Sequence, residues 1–153
     1  MSHKSPAIAE RIAHLQGHKQ PAHLLGWLEC FNSGEFYEAH DVLEDLWLEE
    51  RETLNANFYK GLIQLAGAFV HLKMHENPAY PAAGPRLRPA AKLLELARIN
   101  LEPFTPGPHA FDQPAAIDLI YHWLALLETG EFRTNPLKEE SPAHLTLQPN
   151  TGT

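Results

Sequence analysis

Apolar side chains recur at three- and four-residue intervals along almost the whole chain, and nowhere do they alternate with polar ones long enough to make a convincing strand. That pattern commits the chain to helices. Ser5-Pro6 opens a short one, with Ile8, Ile12 and Leu15 on one face and Gly17 as its end. Leu24, Leu28 and Phe31 mark a second over residues 21–31, stopped by Asn32-Ser33-Gly34. A third is predicted over 35–50 and a fourth, the longest and most apolar, over 54–75. Leu87, Ala91, Leu94, Ala97 and Leu101 mark a fifth, with Pro89 in its first turn. Ile117, Ile120, Leu124 and Leu127 mark a sixth, capped by Asp112 or Gln113 and ended by Thr129-Gly130. The expectation is an all-α single compact domain of five to six helices in an orthogonal or bundle-like array. Residues 1–20 form an N-terminal helix and linker, 21–130 the helical core, and 131–153 a polar tail, either a surface strap or disordered. Prolines crowd residues 78–89, 103–114 and 136–149, the expected connections and tail.

Composition excludes several classes. A chain of 153 residues with a net charge of -7 lacks the basic footprint that nucleic-acid binding needs. No apolar run reaches about 18 residues, so no membrane span is expected. The first twenty residues lack the long apolar core of a signal peptide, which makes the cytoplasm the expected address. One cysteine, Cys30, rules out an internal disulfide or a multi-cysteine zinc site, and without a basic neighbour in sequence it reads as structural.

The third and fourth helices carry the chemistry. On the third, Phe36, Ala39, Leu43, Leu46 and Trp47 share one side, and Glu38, Asp41, Asp45 and Glu49 make an acidic, solvated face opposite. His40 and Glu44, one turn apart, sit instead at the edge of the apolar side, beside Trp47. On the fourth, two apolar stripes leave a strip of Lys60, Gln64, Gly67, His71 and His75, with small Gly61, Gly67 and Ala68 allowing close backbone approach. If the two helices pack antiparallel through these faces, His40, Glu44, Gln64 and His71 converge. A carboxylate near a core needs partners, and a histidine is a natural one.

Such a set admits three readings. It is a small-ligand or acid–base pocket, with Tyr37 and Trp47 as wall, Gln64 as an orienting hydrogen bonder, and Glu38 and Asp41 as supporting acids. Or His40, Glu44 and His71 ligate a divalent metal such as Zn, Mn or Fe(II). Or the same residues form a sealed hydrogen-bond network, and function lies on a surface used for protein interaction or homo-oligomerisation. An exposed Ile63/Val70/Met74 stripe would favour the last.

Other motifs carry little. HDVLE at residues 40–44 is not the zinc-protease HExxH, because Glu44 replaces the second histidine and Asp41 lies on another face. The acid-rich run 29–52 lacks calcium-loop spacing. No Walker loop, GxGxxG or GxSxG occurs. Arg98 falls on the apolar side of the fifth helix, where it would snorkel, and Trp27, Trp47 and Trp123 read as core or interface aromatics.

The run FNSGEFYEAHDVLEDLW, residues 31–47, and NFYKGLIQLAGAFVHLK, residues 57–73, resemble the two signatures of domain-of-unknown-function family 309. The matching positions are Asn32, Gly34, Glu38, His40, Asp41, Glu44, Trp47, Gly61, Gln64 and His71. GPRLRPAAKLL, residues 84–94, is a looser match, and the resemblance spans about residues 22–101. Asp41 stands where the family usually has Glu, and Lys60 where Gln is expected. The resemblance implies a small all-helical domain, mainly of bacteria and archaea, with no assigned activity. Its signature residues coincide with the polar set reached from helical phase.

Overall fold

The computed structural model describes residues 5–77, 79 and 85–148. The fold is a compact all-α domain, with six α-helices among the described residues: α1 (Ser5–Arg11), α2 (Ala22–Asn32), α3 (Phe36–Glu49), α4 (Ala56–Met74), α5 (Leu87–Leu101) and α6 (Gln113–Thr129). Short 3-10 turns stand at Ala13–Leu15, Pro108–Ala110 and Pro136–Lys138. Among the described residues no helix is long and apolar enough to cross a membrane. The connection read over 76–85 falls partly outside the described residues, at 78 and 80–84, as does the end of the tail beyond 148.

The helix ends follow local chemistry. Gly34, at φ +81, turns the chain from α2 into α3, a conformation that costs glycine little. The Asp112 side chain caps α6 by accepting from Ala115 N at 3.2 Å, and Pro114 sits in the first turn.

α4 is the central element, as its two apolar stripes require. Phe36 stacks on Phe69 at 5.1 Å, and Lys73 Nζ donates to Gly34 O at 3.3 Å, so α3 begins beside the end of α4. Gln64 meets Asn100, and His71 meets Arg86 just before α5, so α5 also runs antiparallel to α4. Gly61 makes the α4–α5 approach close: a Cβ there would stand 2.7 Å from Leu101 Cγ. α2 packs on α3, and Trp27 Nε1 donates to Leu62 O of α4 at 3.2 Å. α6 closes the other side, with Trp123 edge-on to Phe69 at 4.9 Å. Trp27 and Trp123 are core; Trp47 is half-buried against the core.

The segment after α6 lies along the helices. Leu145 is buried, and its backbone exchanges two 2.8 Å hydrogen bonds with the Asn32 side chain. Asn135 Nδ2 donates to Leu72 O at 2.6 Å, and Leu147 pairs with Phe111 in an isolated antiparallel bridge. At the other end, Arg11 pairs with Glu29 at 2.6 Å and with Glu35 at 3.2 Å.

One local expectation is corrected and another is met. The acidic face of α3 is not evenly solvated: Glu38 and Glu49 are exposed, but Asp41 and Asp45 are half-buried. α1 packs over that side, and Asp41 lines a small cavity there with Ala7, Ile8 and Arg11. Arg98 snorkels as expected from the apolar side of α5. It turns along its own helix to Glu102 at 2.7 Å and Glu95 at 3.1 Å.

Candidate functional site

α3 and α4 do pack antiparallel, but the polar strip of α4 faces α5 as much as α3. Gln64 Oε1 accepts from Asn100 Nδ2 at 2.7 Å. His71 Nδ1 lies 3.5 Å from Arg86 Nη1. His75 Nδ1 accepts from the Arg86 backbone N–H at 3.0 Å. Gly67 stands between Gln64 and His71 on this strip. A Cβ at Gly67 would lie 3.4 Å from Leu93 Cδ1 of α5 and 3.9 Å from His40 Cδ2 of α3. Gly67 therefore floors a seam where α3 and α5 come together over α4. His40 is the α3 residue that reaches it, and the antiparallel run sets Glu44 one turn further, toward Gln64.

His40, Glu44, Gln64 and His71 make no hydrogen bond to one another among the described residues. His40 Nδ1 meets Asp41 Oδ1 at 3.3 Å. Gln64 and His71 are taken by Asn100 and Arg86, while Glu44 has no hydrogen-bond or ion-pair partner among the described residues. All four are half-buried. The metal reading of His40, Glu44 and His71 gains no support: among the described residues no three His, Cys, Asp or Glu side chains are grouped as metal ligands. Two turns of α4 separate Gln64 from His71, and each turn finds its own partner on or beside α5.

Tyr37 does not wall this seam. It is 60% exposed and lines a different cavity with Glu38, Val70, Lys73 and Met74. Ile63, Val70 and Met74 are half-buried rather than exposed.

The electrostatics give the two imidazoles different faces. Burial first, and then the charge of Arg86, push His71 below the ordinary histidine range. Arginine can only donate, so Nδ1 of His71 accepts and Nε2 carries the proton. On His40, Asp41 accepts from Nδ1–H. The groups these two helices carry are therefore the Nε2–H of His71, the His40 ring and the Glu44 carboxylate. That set can orient a polar molecule or move a proton between two of its atoms.

Asn100 and Arg86 were missed by sequence reasoning. Asn100 had a signal, since it follows Leu93 and Ala97 at helical spacing on the side that packs against α4. Arg86 precedes its helix and had none. A second polar cluster was also missed, near the start of α4. The Tyr59 hydroxyl donates to Glu50 Oε1 at 3.5 Å and meets His109 Nε2 at 3.2 Å. Burial, reinforced by the charge of Glu50, pushes this phenol up to about 12, so it stays protonated. Cys30 is buried, and burial pushes its thiol up to about 11, in keeping with a structural residue.

With α3 and α5 both antiparallel to the central α4, the chain is a small all-helical domain. Residues 24–80 match the family model described as Domain of unknown function (DUF309), which bears out the resemblance carried by the two motifs. The match takes in α3 and α4 whole and ends before α5. No curated protein and no solved structure matches this chain.

Proposed function

We propose that this chain is a small-ligand-binding helical module whose recognition surface is the seam over Gly67. The ligand class is a small polar molecule that presents both a donor and an acceptor. One observation supports the reading: the motif residues His40, Glu44, Gln64 and His71 are each half-buried, and none of them is bonded to another. A sealed network that merely fixed helix packing would bond these groups to each other and exclude water. His40 keeps a third of its side chain exposed, at 33%. Asn100 and Arg86 hold Gln64 and His71 in place, and His40 and Glu44 face the ligand.

The test is a thermal-shift screen of small polar metabolites on wild type, His40→Ala and Glu44→Gln. A compound that raises the wild-type melting temperature and leaves both variants unmoved supports the reading. Unliganded variants that melt far below wild type, with no stabilising compound, would leave the packing role standing. Offering Zn, Mn and Fe(II) in the same screen tests the metal alternative, for which the grouping of side chains gives no support.

An interaction module has one observation in its favour. Leu54, at the α3–α4 turn, is 94% exposed, with Leu48 also exposed nearby in sequence. Concentration-dependent association in sedimentation, lost in Leu54→Ser, would favour it.

A further inference from the structure

The segment after α6 is anchored twice, by Asn135 to Leu72 O and by Leu145 to Asn32. Between the anchors it passes over a cavity of about 360 Å³ at the α2–α3 turn. Phe31 and Phe36 form one wall, and Leu137 and Pro142 of the strap form the other. A volume of this size lies at the small end of ligand pockets, which run roughly 300–1,000 Å³ and combine apolar walls with a few convergent polar groups.

The polar groups here sort cleanly. Asn32 spends its amide on Leu145, and Ser33 Oγ spends its proton on the carbonyls of Glu29 and Cys30. Lys73 gives one ammonium proton to Gly34 O at 3.3 Å, and no carboxylate lies within ion-pair distance of it among the described residues. Two of its N–H groups stay unspent. The Ser141 hydroxyl and the His144 ring also line the cavity and have no partner among the described residues. The acids next in sequence to these residues are drawn elsewhere: Glu35 to Arg11 at 3.2 Å, Glu140 to His122 at 2.9 Å and Glu76 to His75 at 3.7 Å. What remains on offer is one cation and two further donors beside aromatic and aliphatic walls.

We infer that this cavity is a second binding site, for a small monocarboxylate with an aromatic or branched aliphatic body. Lys73 holds the carboxylate by a charge-assisted hydrogen bond, with Ser141 and His144 completing its shell. Phe31, Phe36, Leu137 and Pro142 take the apolar body. The site is separate from the seam over Gly67 and does not depend on it.

The test is an amide-shift titration of the isotope-labelled full chain with benzoate and with isovalerate. Benzylamine serves as the same ring with the opposite charge, and inorganic phosphate as an anion without a body. Saturable shifts confined to residues 31–36, 73 and 137–144 with either carboxylate are expected. Lys73→Gln, whose exposed position leaves the rest of the spectrum unchanged, weakens binding on the order of tenfold, the scale of one charged hydrogen bond. No saturable shift with either carboxylate overturns the proposal. So does benzylamine binding as well as benzoate, an unchanged affinity in Lys73→Gln, or phosphate binding as tightly as the carboxylates.

Discussion

Asn32 is the residue with the widest reach. It was legible in sequence only as part of a turn, because nothing in a linear pattern shows that an amide will pair with a backbone 113 residues later. Asn32→Ala leaves the Leu145 N–H and C=O without their partners, at a cost of about 1–2 kcal/mol. Denaturant unfolding measures the cost, and hydrogen exchange of the 139–148 amides should rise more than that of α4. His71 makes a prediction of opposite electrostatic character. Its folded-state value lies below the unfolded 6.5, so the unfolded chain takes up the proton first. This residue's effect is therefore neutral above that pH, and stability is lost as pH falls from there through the depressed value. Arg86→Gln removes the second cause and should raise the His71 titration midpoint, read from its ring proton shifts.

At the scale of the element, helical period fixed which face of each helix is apolar, and the six helices emerged close to their expected limits. Period does not say which neighbour a face will meet. Gln64 and His71 have the phase expected of them, yet they turn to Asn100 and Arg86, because Gly61 and Gly67 let α5 come in close. That closeness is testable. Gly61→Ala drives a methyl toward Leu101 and should cost about 1–3 kcal/mol by overpacking, measured by urea unfolding. The acidic face of α3 was misjudged for a related reason: a helix only seven residues long, α1, covers part of it. α1 is held by Arg11 and His14 on Glu29, and the hydrogen bond from Arg11 leads in holding that carboxyl below 4.5. The stabilisation is present above that pH and disappears as pH falls through the lowered value. These groups are partly exposed, so Arg11→Gln should cost only about 0.5 kcal/mol, seen as earlier acid release of α1 by amide exchange.

The whole molecule has one core, continuous from Ile8 through the helices to Leu145. Near-ultraviolet circular dichroism, sensitive to Trp27 and Trp123, and far-ultraviolet circular dichroism should therefore report the same transition. Leu145→Ala removes a fully enclosed side chain from the last part of that core and should lower stability by about 2–4 kcal/mol without separating the two transitions. A strap independent of the core would give a second, earlier transition instead.

Both ends of the described chain close on the same short stretch. Arg11 reaches Glu29 and Glu35, and Leu145 reaches Asn32, so residues 29–35 act as a clasp. Stretch the molecule by its two ends and the load meets those few bonds, together with the Phe111–Leu147 bridge, before it meets any helix pair. The force trace in an optical trap should begin with a small yield that lengthens the chain by the α1 and strap segments alone. A larger rupture of the α2–α6 body follows. Asn32→Ala should lower the force of the strap's share of that first yield and leave the second unchanged in length.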